Sequence, residues 1–259
     1  MALQTTDRLA VLIDADNAQA AIVQELFTEV SRYGAATVKR AYGDWTTPNL
    51  KSWKEHLHKL AIQPIQQFRY TSGKNATDSS LIIDAMDLLH SGRVDGFCLV
   101  SSDSDFTRLA TRIRESGLAV YGFGEAKTPE AFVSACDKFI FTEILRPTAE
   151  PQIIPDERAV PPLEEILRPA IEATAREGGW SPLAGVGSTI GKTHPSFDSR
   201  NYGFSKLGEL VRNQAFLEVS EAPASDGSRN VVLYVRLKGV QPGAAADRQQ
   251  PPSAPVVAR

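Results

Sequence analysis

Two kinds of apolar spacing alternate along the first 146 residues. RLAVLID (8–14) is an apolar run of strand length. AQAAIVQELFTEVSRYG (18–34) repeats its apolar positions at helical spacing until Gly34 closes it. The alternation continues with a strand at 36–44, a helix at 49–61, a strand at 62–69 and a helix at 77–91. A strand at 94–101, a helix at 105–116, a strand at 118–124 and a helix at 129–136 follow, and FIFTEIL fits a short strand or a helix. Pro64 places its strand on an edge, because proline cannot donate to a central ladder. Strands alternating with helices predict βαβ units, a parallel sheet flanked by helices, and right-handed crossovers. The fold class is α/β.

The pattern then changes. PTAEPQIIPDERAVPP (147–162) holds five prolines and no periodicity, which reads as a linker. An amphipathic helix follows from 163 to about 178, with shorter helical pieces at 182–192 and 203–214. Strands at 216–220 and 230–237 flank a turn containing Asp226-Gly227. Helices followed by a hairpin predict a second, small α+β unit of winged-helix type over 163–238. The Pro-, Ala- and Gln-rich tail at 239–259 is expected to be disordered.

Composition narrows the class without naming it. No apolar run approaches the roughly 18 residues of a membrane span, and the N-terminus lacks the basic region of a secretory signal. Cys98 and Cys136 fit no zinc or redox spacing, and the four histidines are scattered. A reducing cytoplasm is the expected setting. The formal net charge of −3 argues against a strongly basic nucleic-acid binder. Residues 1–146 carry 16 Lys and Arg against 18 Asp and Glu. Four of those carboxylates occupy special places, and setting them aside leaves a mildly basic surface around an acidic pit.

Those four are Asp14, Asp78, Asp103 and Asp105. Asp14 ends the apolar strand LAVLID, with Asp16 and Asn17 just behind it. Asp78 opens the helix in GKNATDSSLIIDAMDLL, and Asp103 and Asp105 follow the strand in GFCLVSSDSDF. Taken singly, Asp16 or Asn17, Asp78 and Asp105 are each a natural helix N-cap. Taken together the pattern is harder to explain, because a carboxylate ending a buried strand is costly without a partner. Ligands of open α/β sheets bind outside the carboxyl ends of the strands, where strand order reverses. Clustered oxygen donors there suit Mg²⁺ or Mn²⁺ and metal-assisted phosphodiester hydrolysis. Asn17 is placed to orient a water or a phosphate oxygen. Ser101 and Ser102 leave room for a backbone to pass, and Lys74 could meet the substrate phosphate.

LIDADN, KNATDSSLIIDAMDLL and LVSSDSDF resemble the three signature blocks of the NYN domain, a branch of the PIN-like ribonucleases. They stand in the family's order, over roughly residues 7–146. The resemblance implies Mg²⁺ or Mn²⁺ held by Asp14, Asp78, Asp103 and Asp105, with cleavage of RNA. Asn17 matches the family's Asn after the first Asp, and Asp84 matches a frequent further acidic position. Ser102 departs from the family's usual Gly. A haloacid-dehalogenase phosphatase would also place a DxD such as Asp14-Ala15-Asp16 after a strand. It wants Thr or Val where Ala18 stands and gives Asp78 no role.

In the second unit, Trp180, Leu183, the Pro195-x-Phe197 pair, Tyr202-Gly203-Phe204 and Leu207-x-x-Leu210 resemble the LOTUS, or OST-HTH, domain. That likeness implies a winged helix that binds RNA or, in some relatives, docks a helicase. The aromatic residues themselves read as core for so small a unit. Lys192, Arg200 and Lys206 give its surface a basic lean suited to phosphate contacts, with His194 and Arg212 alongside. The expected whole is a cytoplasmic, metal-dependent ribonuclease of residues 1–146, probing RNA through a tethered module. The rival is a non-catalytic RNA- or partner-binding adaptor with a relic site.

Overall fold

The structure, a computed structural model, describes residues 6–68, 76–146, 161–223 and 231–239. Six parallel strands form the first sheet: β1 (Arg8–Asp14), β2 (Ala35–Gly43), β3 (Gln63–Gln66), β4 (Gly96–Val100), β5 (Ala119–Gly124) and β6 (Lys138–Phe141). Their order is β3-β2-β1-β4-β5-β6. Strand order therefore reverses between β1 and β4, and β3, with its Pro64, lies on one edge. The strands are continuous apolar runs because both faces are covered. Every residue of β4, and every residue of β1 after Arg8, is buried. Each large aliphatic side chain so buried contributes about 1.5–3 kcal/mol.

The helices connecting the parallel strands sort onto the two faces of the sheet. α1 (Val23–Val30) and α2 (Trp53–Lys59) cover one face, packing Val23, Leu26, Val30 and Trp53 on Leu9, Val11, Ile13 and Val100. α3 (Ala76–Ser91), α4 (Thr107–Glu115) and α5 (Glu130–Ala135) cover the other, packing Leu81, Ala85, Leu109, Ile113 and Phe132 on Ala10, Leu12, Phe97 and Leu99. Helix ends are trimmed relative to the periodicity. The stretch at 18–34 starts with a 3₁₀ turn at 20–22, and that at 105–116 with one at 104–106. FIFTEIL is both things, strand β6 and then a 3₁₀ turn over 142–145.

The second domain packs α6 (Leu163–Thr174), α7 (Leu183–Thr193) and α8 (Leu207–Arg212) against a three-stranded antiparallel sheet. That sheet consists of β7 (Ser181–Pro182), β9 (Val231–Leu237) and β8 (Leu217–Pro223), in that order. Phe197, Tyr202 and Phe204 pack on its core, while Trp180 carries Arg236 over its ring at 4.6 Å. Most of the linker, the 226–227 turn and nearly all of the tail lie outside the described residues. Among the described residues, no helix is long and apolar enough to cross a membrane.

The two domains touch. The Phe139 N–H on edge strand β6 donates to the carbonyl of Pro195 at 3.0 Å. Lys138 Nζ donates to the carbonyl of Phe197. Arg200 reaches Glu29 on α1, its Nη1 and Nη2 each 2.9 Å from a carboxylate oxygen.

Candidate active site

The acidic residues gather beyond the carboxyl ends of β1 and β4, at the point where strand order reverses. Asp14 ends β1 with no exposed surface. Its Oδ2 accepts from Asn17 Nδ2 at 2.8 Å and from Ser101 Oγ at 2.9 Å. Its Oδ1 is buried and has no hydrogen-bond partner. Burial pushes its pKa up, the Asn17 and Ser101 donors pull against that, and neighbouring Asp16 adds repulsion. Such a group is held in place on one side and left unsatisfied on the other.

Ser101, the first residue past β4, links the two strand ends. Its hydroxyl donates to Asp14 and accepts the Asp103 N–H at 3.1 Å. Asp103 Oδ1 in turn accepts the Asp105 N–H at 2.9 Å, capping the 3₁₀ turn. Asp103, and not Asp105 as the sequence suggested, is the cap here, and its carboxylate also belongs to the acidic cluster. Asp78 comes from the first turn of α3. One carboxylate oxygen from each of Asp78, Asp103 and Asp105 lies within 4.8 Å of the others. Asp78 is pushed up to about 6, first by burial and then by the charges of Asp14, Asp103, Asp105 and Asp16.

These residues fit a divalent cation. An all-oxygen donor set on rigid elements suits Mg²⁺ or Mn²⁺. A cation would relieve both the repulsion that raises Asp78 and the orphaned oxygen of Asp14. Two cavities lie near the elements that carry the cluster. A cleft of about 560 Å³ opens beside Asp16, lined by Asn49, Ser52 and His56 among others. A groove of about 700 Å³ runs between α3 and the β2–β3 edge, lined by Arg40, Gln63, Gln67 and Ser79 among others.

The other expected residues are placed less uniformly. Asn17 is exposed, and its amide donates one hydrogen bond to Asp14. Asp84 is away from the cluster, accepting from Arg40 and Tyr42 and so tying α3 to β2. Lys74 lies outside the described residues. Lys192 and Lys206 are exposed on the second domain. Arg200 is not a free surface cation there: besides Glu29, it bonds Asp198 through Nε at 3.0 Å and Nη2 at 2.7 Å. Sequence reasoning treated Asp16 as a cap or as half of a DxD, yet its carboxylate accepts from Thr77 Oγ1 at 3.1 Å and adds to the repulsion on Asp78. The DxD spacing was the signal for it. Nothing in the sequence marked Ser101 as the tie between strands. Ser102, standing where the resemblance wants Gly, accepts the Glu125 N–H at 2.9 Å and so braces the loop after β5.

Comparison with known families matches the NYN domain over residues 8–145 and the OST-HTH/LOTUS domain over residues 161–227. No curated protein matches the chain. Among solved structures, a Vibrio parahaemolyticus protein of unknown function is 18% identical, covering 54% of this chain and 94% of its own, with a TM-score of 0.45. Residues 175–257 of a Chromobacterium violaceum protein are 34% identical over 34% of this chain and 92% of that one, with a TM-score of 0.26. An uncharacterized Nitrosomonas europaea protein is 28% identical over 36% and 90% respectively, also at 0.26.

Proposed function

We propose that this chain, which belongs to the NYN domain family and carries an OST-HTH/LOTUS domain behind it, is a metal-dependent ribonuclease. The observation that carries the reading is the convergence of Asp78, Asp103 and Asp105 above the buried, half-satisfied Asp14. Asp78, Asp103 and Asp105 would hold Mg²⁺ or Mn²⁺, with Asp14 behind them. When bound, the metal supplies a water of lowered pKa and a counter-charge for the phosphate and the leaving oxygen.

The chain's own part is to prepare that site. Asp14, Ser101 and Asp103 are joined by hydrogen bonds, so the ends of β1 and β4 present their carboxylates in one fixed arrangement. Asn17 keeps Asp14 turned inward. Positioning of this kind lowers the barrier because the donors need no reorganisation when charge develops. Ionised Asp78, together with its neighbours, binds the cation; below about pH 6 it keeps its proton and competes with that binding. The clefts beside Asp16 and along α3 receive the RNA on the two sides of the scissile bond. Attack by water leaves 5′-phosphate and 3′-hydroxyl ends. Because both clefts are open, an internal bond can reach the cluster and the action is endonucleolytic. The second domain adds RNA affinity through Lys192 and Lys206, and buried free Cys98 and Cys136 suit the reducing cytoplasm.

The test is cleavage of a labelled single-stranded RNA by the full chain with Mn²⁺ or Mg²⁺, with and without EDTA. Cleavage that stops with EDTA and is lost in Asp103→Asn supports the reading. RNA binding without metal-dependent cleavage leaves the adaptor with a relic site.

A further inference from the structure

The contact between the domains is built from more than incidental surface. Glu29 projects from the outer side of α1 and is only 3% exposed. Arg200 places one nitrogen on each of its oxygens and turns its remaining donors to Asp198. Burial works against Asp198, but the bonds from Arg200 hold it below the usual carboxylate range. Lys138 of β6 is half-buried in the same seam, with its pKa lowered by partial desolvation and its ammonium on the Phe197 carbonyl. Arg32 also pairs with Glu29, at 3.1 Å, so three cations meet two carboxylates. Beside them the main chain of edge strand β6 bonds the main chain at Pro195.

A bidentate guanidinium and a main-chain hydrogen bond each fix direction as well as distance. Buried ion pairs add little net affinity over apolar contacts, and their best-attested use is to specify one register. A module that merely trailed on a tether would need neither. The docking loop also lies, along the chain, between two exposed cations, Lys192 at the end of α7 and Lys206 just before α8. Fixing the loop fixes both of them. Phe139 shares its rung of the sheet with Gly122, Leu99 and Leu12, two residues short of Asp14. β6 is two strands from β4, about 10 Å to the side at ordinary strand spacing.

We infer that the Glu29–Arg200–Asp198–Lys138 seam holds the LOTUS domain at one distance and angle from the Asp cluster, so that RNA held by Lys192 and Lys206 is cut at a set spacing. The spacing rests on the proposed nuclease reading; the rigid seam does not. Arg200 and Glu29 are then positioning residues, acting on the cut site through the orientation of the second domain.

Two measurements on the full chain test this. Amide ¹⁵N relaxation is expected to give both domains one rotational correlation time in the wild type and separate, shorter times in Arg200→Ala and in the milder Glu29→Gln. End-labelled single-stranded RNA is expected to be cut by the wild type within a narrow window. Glu29→Gln should keep the initial rate on a short RNA but spread the cuts at least twofold wider. A single correlation time in both variants, or separate times already in the wild type, overturns the seam. An unchanged cut window in an uncoupled variant overturns the spacing. Absence of cleavage in the wild type fails the nuclease reading and takes the spacing with it, while the correlation times still decide the seam.

Discussion

Asp78 concentrates the electrostatics of the site in one side chain. Its folded pKa of about 6 lies above the ordinary carboxylate value, so ionising it costs the metal-free fold. The sign follows: this group's contribution to stability is present below about pH 4 and is lost as pH rises through 6. A rise of about two units corresponds nominally to roughly 3 kcal/mol, and solvent around a half-buried group reduces that to about 1–2. Asp78→Asn is therefore expected to raise metal-free stability at pH 7 by about 1–2 kcal/mol while abolishing cleavage, measured by urea unfolding and RNA assay. Mn²⁺ affinity, by calorimetry, should fall as pH drops below about 6, and affinity flat from pH 5 to 7 would contradict the assignment. Ser101→Ala leaves the metal-facing carboxylates in place but removes their tie, and losses of about 10–100-fold in metal affinity or activity are expected. At this scale Asp14 was legible as a carboxylate ending an apolar strand, and Asp103 as one three residues past the end of β4. Asp16–Thr77 and Asp14–Ser101 join positions 61 and 87 residues apart, and no local pattern reports such partners.

Among the elements, β6 carries the most consequence for its four residues. An edge strand exposes unpaired backbone groups that invite pairing with other chains. Here one of its N–H groups is covered by Pro195 and its flank by the 194–202 loop. From the prolines alone, residues 1–146 are expected to fold and cut independently of the rest. Both apolar cores of the first sheet lie within that stretch, so folding is still expected. The fragment would, however, expose the edge at Phe139 and strand Glu29 without Arg200. Its midpoint of thermal unfolding should fall below that of the same domain in the full chain, with dimers or larger species in light scattering. A fragment as stable and as monomeric as the full chain would make the seam superficial. Element types were legible from apolar period, and Pro64 marked the β3 edge for a plain backbone reason. Element ends were not, because the 3₁₀ turns at 20–22 and 104–106 are three residues each, too short to show a period of their own. β7, two residues long, offers no period at all.

For the whole molecule, the two families could be read from the motifs on either side of the change of pattern at 147–162, but the docking of one domain on the other could not. Glu29 and Arg200 stand 171 positions apart, and each reads in sequence as an ordinary surface charge. The basic set expected to grip RNA shrinks accordingly, since Arg200 spends its donors on Glu29 and Asp198, leaving Lys192 and Lys206 exposed. Each phosphate contact on a single strand contributes a salt slope of roughly 0.7 in log affinity against log salt, so losing both lysines should flatten it by about 1.4. Replacing Lys192 and Lys206 together with Ala is expected to weaken binding at low salt while leaving the saturated cleavage rate unchanged. Both residues belong to the second domain and not to the elements that carry the Asp cluster, so a loss of affinity should appear in KM and not in kcat. Fluorescence anisotropy across a salt series, beside saturation kinetics on the same RNA, separates these. An unchanged slope in the double variant would mean that the second domain does not grip RNA through these cations, and a fallen kcat would place them in the chemistry.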